Sequence, residues 1–569
     1  MESARTFLFI LFAFLTFLLY QAWQEDHKPE PVSKPSIESS VDVYQSEQAI
    51  PSASPNNADD LSAEIPQEPG KTNPSVEVSV STQPIEVITD TLKVLISPNG
   101  GNLVSAELLN YKMSLDENSP PINILENRDG RIFLALSGLF GTGAPDFNKN
   151  VANYHSAQNH YELDGKESIN VDLTWVNANG VEYIKRFTFH KGQYVVDVKF
   201  LVNNKSSERI ANRMFTALQR DQLPADGQES VGIGMQSYLG PAYSTQESKY
   251  EKYDFDDLAE SDLSAQTQGG WIAILQHYFV TAWVPEGESK SINKIDATSK
   301  NLRKAGLSQI RITQDWVWID PDQSVEFAAK LYVGPKIQAD LEKLSEGLEL
   351  TVDYGFLWWI GQPIFYMLIF FQGFVINWGA AIILVTIAIK MLLYPLARAQ
   401  YRSFAKMRLL QPKMTAMKER YGDDRQQMSM KMMELYKKEK VNPLGGCFPL
   451  LIQMPVFIAL YWVLMESVEL RHAPFILWIN DLAVKDPYYI LPLLMGASMY
   501  LMQKMQPTSP TMDPMQQKML QMMPVFMTIF FVFFPAGLVL YWLMNNLISI
   551  AQQLYITNQF NKEQEAKNK

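Results

Sequence analysis

The sequence predicts a multi-pass α-helical membrane protein of six spans that carries a large exterior antiparallel β-sandwich domain. Three observations lead there. Apolar residues cluster near the N-terminus and again after residue 355. Between residues 87 and 350, short runs alternate apolar and polar residues, with turn signals between them. Charge is also sorted along the chain, with 28 Lys+Arg against 48 Asp+Glu over 24–389 but 20 against 12 over 390–569. An acidic exterior beside a basic membrane-proximal region suits the positive-inside rule and argues against nucleic acid as the main ligand. The single cysteine, Cys447, excludes an intrachain disulfide, so packing alone must hold the β domain.

Residues 1–5 are expected to be a cytoplasmic N-terminus. Residues 6–23 form an apolar run behind Arg5, and no small-x-small cleavage site follows, because the next residues are Gln24, Glu25 and Asp26. The run is therefore expected to be an uncleaved first transmembrane anchor. Residues 24–86 hold nine prolines, 12 acidic residues, three lysines and one aromatic, Tyr44. Such a stretch cannot bury enough apolar surface to offset its ordering entropy and reads as a disordered linker outside the membrane. It contains Gly70-Lys71-Thr72, but Ile65 stands where a phosphate loop needs its first glycine.

Residues 87–350 carry runs such as Val171-Asp-Leu-Thr-Trp-Val, Tyr183-Ile-Lys-Arg-Phe-Thr-Phe and Tyr194-Val-Val-Asp-Val-Lys-Phe, with Pro98-Asn-Gly-Gly as a turn. Period-2 patterning over this length indicates a β-sandwich. A short helix over 335–347 closes it.

Five stretches, 378–394, 448–465, 488–502, 519–534 and 537–556, approach the length needed to cross hydrocarbon and form a core over 378–556. Residues 357–374 are equally apolar. If they crossed, the segment 398–440, with 12 basic and five acidic residues, would face outward against the positive-inside rule. The region 355–377, interrupted by Gly361 and Pro363, is therefore expected to lie at the outer interface. Six spans then leave both termini cytoplasmic, with 557–569 as a tail. The loop 466–486, with two basic and four acidic residues, suits the outside.

No H-E-x-x-H, G-x-S-x-G or Cys-x-x-Cys is present, and the six histidines are scattered. His155 and His160 read as surface histidines rather than metal ligands. No enzyme, cofactor or metal is expected.

Lys390 is the exceptional residue. It lies 12 residues beyond Trp378, about 18 Å along a helix, deep in the inner half of the bilayer. An ammonium there is costly unless it snorkels toward the headgroups or lines a wet cavity. Polar residues at Thr386, Gln453, Thr528 and Asn545 favour the cavity, although ordinary interhelical hydrogen bonding would also use them. A cytoplasmic helical hairpin over 398–440, turning at Tyr421-Gly422-Asp423-Asp424, carries Met407, Met414, Met417, Met428, Met430, Met432 and Met433, with Met407, Arg408, Met414, Met417 and Met432 as candidate docking residues. Adaptable methionines suit varied apolar partners, but could equally pack the hairpin against itself.

Asn442-Pro-Leu-Gly-Gly-Cys-Phe-Pro-Leu-Leu-Ile-Gln-Met-Pro-Val-Phe resembles the signature of the YidC/Oxa/Alb insertase family. Tyr394-Pro-Leu, Asp513-Pro-Met-Gln-Gln-Lys and Phe534-Pro-Ala-Gly-Leu-Val-Leu-Tyr are similar to that family as well. The resemblance covers about 355–556, and the Gram-negative members place a large β-sandwich in the periplasm. It implies a membrane protein insertase and chaperone of the inner membrane. The groove it implies opens to cytoplasm and lipid, with Lys390 as the cation and Thr386, Gln453, Thr528, Tyr541, Trp542 and Asn545 as lining. Bacterial members usually carry arginine at the cation, and lysine lacks its bidentate fork. The implied partners are nascent membrane proteins, the Sec translocon (SecYEG with SecD/SecF), the ribosome and the lipid bilayer. The alternative class is a transporter or channel, which would show repeated halves and a midplane site; no second copy of the Lys390 span occurs. An anchored carbohydrate-active enzyme would need paired carboxylates that the strand pattern does not reveal.

Overall fold

The computed structural model describes residues 83–568, apart from 129, 147–150, 225–236, 288–290, 300–305, 422–423, 440–447 and 507–513. The expected N-terminal anchor, nearly all of the linker, Cys447, the hairpin turn and the first six residues of the 442–457 signature lie outside the described residues.

The β domain begins at Ile85, two residues before the expected boundary, because Ile85 and Val87 already alternate into the core. Two sheets face each other. An 11-stranded sheet runs from Leu263–Gln268 through Leu307–Thr313, Ile210–Asp221 and Arg131–Phe140 to Ile85–Ile88 and His160–Glu162. A nine-stranded sheet has Val181–His190, Val195–Asn204 and Ser324–Pro335 at its centre. The strand Val195–Asn204 buries Val196, Val198, Phe200 and Val202 and turns the residues between them outward. That alternation is the period-2 pattern of a strand with one covered face. Lys185 interrupts the apolar inner face of Val181–His190. Its Nζ donates to Gly100 O at 3.0 Å and Ser137 O at 2.7 Å, so the buried ammonium bridges the two sheets. Hydrogen bonding of this kind offsets the cost of burying it.

Helices α1 (Phe255–Glu260) and α2 (Gln338–Leu344) belong to the β domain, and α2 is the closing helix expected over 335–347. The helical region follows as α3 (Trp358–Val375), α4 (Trp378–Leu392), α5 (Tyr394–Tyr421), α6 (Arg425–Lys438), α7 (Phe448–Glu466), α8 (Ile490–Lys504), α9 (Pro514–Phe531) and α10 (Ala536–Asn568). Pro395 lacks the amide that would continue α4, and the chain bends by 68° into α5.

Among the described helices, only Gly355–Val375 is long and apolar enough by itself to cross a membrane, and α4 with α5 would qualify only as one bent pair. The six-span count is therefore not reproduced by length and composition. The other helices are short or carry residues such as Lys390, Gln453, Asn545 and Asn546, which lower their apolarity. Residues 557–568, expected as a tail, continue α10 as helix, because Ile556 and Phe560 are both buried.

Helix α3 buries Gly361, Ile364, Phe365 and Leu368 and leaves Trp358, Trp359, Tyr366, Phe370 and Phe374 exposed. The β domain and helical region are joined by polar contacts, of which those of Lys336 and His277 are buried. Lys336 Nζ lies 3.6 Å from Glu466 at the end of α7, and the His277 ring pairs with Met465 O at 2.8 Å. Arg471 Nη2 donates to Lys112 O at 2.7 Å and Met113 O at 3.1 Å.

Candidate functional site

Helix α10 presents Tyr541, Asn545, Ser549 and Gln552 on one face, spaced by four, four and three residues. Lys390 from α4 and Gln453 from α7 meet that face. Lys390 Nζ donates to Ser549 Oγ at 2.8 Å and to Gln453 Oε1 at 3.4 Å, and the residue is only 9% exposed. Gln453 Nε2 in turn donates to Asn545 Oδ1. Gln552 Nε2 donates to Lys390 O at 3.5 Å. Every partner is neutral. Among the described residues, no carboxylate lies within ion-pair distance of Lys390. The ammonium is therefore hydrogen-bonded but not neutralised, which leaves its field available to an incoming negative group.

The remaining expected residues divide. Thr386 is buried one turn before Lys390, and its Oγ1 donates to Ile382 O at 2.7 Å, so it bonds its own helix. Tyr541 is fully buried, with its ring 6.4 Å from that of Phe457. Trp542 packs edge-on against Phe457 at 4.5 Å and lies 5.3 Å from Phe531, where α7, α9 and α10 meet. Thr528 faces α8. Its Oγ1 donates to Pro524 O at 2.7 Å, and it fits against Gly496 of α8, where any Cβ would collide with it. It serves the α8–α9 contact, because the rotation of α9 turns it toward the small residue. Ser549, the closest partner of Lys390, escaped the sequence reading. Its signal was its place between Asn545 and Gln552 on one helical face.

The loop before α8 covers the end of this helix group where α10 begins. Ala536 N donates to Val484 O at 2.7 Å and Gly537 N to Leu482 O at 2.9 Å, which satisfies amides at the start of α10. Asp486 accepts from Tyr488 N, Leu491 N and Trp478 Nε1 and so caps α8.

The methionines of the hairpin formed by α5 and α6 divide between its interior and its surface. Met414 and Met432 are buried with Leu410 and Leu435, and Met417 and Met428 pack around them. These methionines hold the hairpin together, since two isolated helices can bury apolar surface only against each other. Met407 and Arg408 are half-buried. The exposed apolar residues are Leu409, Met430 and Met433.

His155 is exposed, and the His160 ring pairs with Glu86 at 3.0 Å. No group of metal-ligating side chains occurs among the described residues.

Two family models match the chain in tandem. "YidC periplasmic domain" covers residues 84–367 and "60Kd inner membrane protein" covers 370–564. A membrane protein insertase YidC of Shewanella piezotolerans is 47% identical over 98% of both chains, and one of Shewanella woodyi is 48% identical with the same coverage. The chain belongs to the YidC family of membrane protein insertases. The β-sandwich is accordingly the family's periplasmic domain, and the helical region is its inner-membrane part. The family's role is insertion rather than enzymatic turnover. Among solved structures, an active YidC insertase with the first transmembrane domain resolved matches over 83% of this chain and 92% of that one, at 18% identity and a TM-score of 0.36.

Proposed function

We propose that this chain inserts nascent membrane proteins through the polar site around Lys390, which acts as a hydrated groove open to cytoplasm and lipid. The observation that carries this reading is the un-neutralised ammonium of Lys390, ringed by Ser549, Gln453 and Asn545. A nascent segment docks on the cytoplasmic hairpin through its exposed Leu409, Met430 and Met433. Its polar or acidic part enters beside Lys390, while the adjoining apolar part slides into lipid past Tyr541, Trp542, α7 and α9. Transfer of about 20 apolar residues into hydrocarbon supplies the driving force, at roughly 25 cal/mol per Å². The groove lowers the cost of carrying the polar part through a medium where a charge costs roughly 2.5–3.5 kcal/mol.

In this reading five helices of the core and the N-terminal anchor cross the membrane, with both termini cytoplasmic. Helix α3 lies at the periplasmic interface, where exposed Trp358 and Trp359 suit the headgroup layer. The Sec translocon and the ribosome are the partners through which substrates arrive.

Crosslinking from a photoreactive residue at 453 or 545 to a stalled nascent chain tests the groove. Adducts should form when the polar segment of the nascent chain reaches the bilayer. Adducts only from α3 or the hairpin would refute a path through the groove.

A further inference from the structure

The end of α10 is longer than any span requires. Its 33 residues make a helix of about 50 Å, against about 30 Å of hydrocarbon. The excess does not run free. Ile556 and Phe560 are 0% and 4% exposed, and α10 packs along α5. Arg402 Nη2 donates to both carboxylate oxygens of Glu563, at 2.6 and 2.7 Å. Ile556, Phe560 and Glu563 are spaced by four and three residues and so share one helical face. On α5, Ala405 is buried one turn beyond Tyr401, which is buried too.

These contacts fall at the base of the hairpin, just past the 68° bend between α4 and α5. A bend created where proline removes a helical hydrogen bond is a hinge unless other contacts fix its direction. The α10 extension supplies them.

We propose that residues 557–568 brace the hairpin over the groove mouth, and that Arg402–Glu563 is the latch of this brace. The proposal rests on the hairpin-docking reading given above. The two side chains are 35% and 42% exposed, so the latch is partly wet and screened. A pair of that kind biases a two-state position by about two- to fivefold, enough to aim the hairpin without locking it. Glu563 and Arg402 are positioning residues, since neither touches Lys390.

The test uses the full chain in lipid vesicles, with Cys447→Ser and spin labels at Ala416, an exposed hairpin position, and at Leu501 on α8. Arg402→Glu, Glu563→Arg, the double swap and the milder Glu563→Gln are compared. Each is measured for the label–label distance distribution and for insertion of a single-span protein with an acidic translocated tail. The single variants should broaden the distances and slow insertion by about two- to fivefold, and the swap should restore both. If the charge reversals do not fold, Glu563→Gln still removes the latch charge and should show the same broadening. Unchanged distances in the folded variants would overturn the brace, as would a swap that restores neither readout. Broadened distances with full insertion would overturn its link to insertion. None of these outcomes touches the groove, which stands or falls on Lys390.

Discussion

Lys336 and Glu466 lie 3.6 Å apart with side chains only 2% and 6% exposed, so an ion pair buried between the periplasmic sandwich and the end of α7 joins the two parts of the molecule. Burial lowers the pKa of the Lys336 ammonium from its ordinary value, while the facing carboxylate works against that shift. Desolvating both charges costs about what their attraction returns, so the pair contributes little net stability while both partners remain.

Removing one partner should therefore hurt far more than removing both. Lys336→Met is expected to destabilise the folded protein by roughly 3–5 kcal/mol, because it strands the Glu466 carboxylate in a dry interface. Lys336→Met with Glu466→Met should recover most of that loss. Thermal unfolding in detergent, followed by protease sensitivity at the domain junction, measures both. A single variant as stable as the parent would show that the interface is wetter than the structure indicates.

Glu469, three residues further on, supplies a pH dependence. Its Oε2 is shut off from solvent with no hydrogen-bond partner among the described residues, and burial pushes its carboxyl up to about 7 from an ordinary 4.5. The raised value means that the folded state holds a proton which the unfolded chain releases. The stabilisation is thus full below about pH 4.5 and is lost as pH rises toward 7. At 1.36 kcal/mol per unit, the loss at pH 8 is at most about 3 kcal/mol. Glu469→Gln should be more stable than the parent at pH 8, and the difference should shrink to nothing near pH 4.5. A difference that stays constant across that window would mean Glu469 titrates normally.

At Lys390 the groove reading requires a hydrated positive charge. Lys390→Arg should keep insertion, Lys390→Glu should lose it, and Lys390→Ala should fall between, since Ser549, Gln453 and Asn545 still keep the site polar. The loss should be worst for substrates with acidic translocated segments, where reversing the charge turns attraction into repulsion of at most several kcal/mol. Insertion rates for acidic-tailed and neutral-tailed substrates, with protein levels matched, give the answer. Equal behaviour of the Arg and Glu variants would sink the mechanism at its central residue.

The topology is testable with single cysteines near Gly422 and near Ala483 and a membrane-impermeant reagent. Only the position near Ala483 should react from the periplasmic side, because the positive-inside rule is expected to hold the basic segment 398–440, which contains Gly422, in the cytoplasm. Reaction near Gly422 from that side would place α3 across the membrane, as its length alone allows.

Local periodicity and transfer cost are written into the sequence itself. Val196, Val198, Phe200 and Val202 announce a strand, Pro395 announces the end of α4, and a lysine at 390 inside an apolar run announces a special environment. Each depends on residues a few positions away. What Lys390 meets was decided only by the tertiary structure. Ser549 is 159 residues distant in sequence, and the rotation of α10 about its own axis brings it to the ammonium, while the rotation of α9 turns Thr528 toward Gly496. The same holds for the methionines. Composition makes Met414, Met430, Met432 and Met433 alike, but the angle at which α5 and α6 pack buries the first and third and exposes the others. The reach of α10 to Arg402 and the pairing of Lys336 with Glu466 are likewise set by how separate elements dock. A one-dimensional pattern states which face of a helix is apolar or polar, but the partner of that face is fixed by long-range packing.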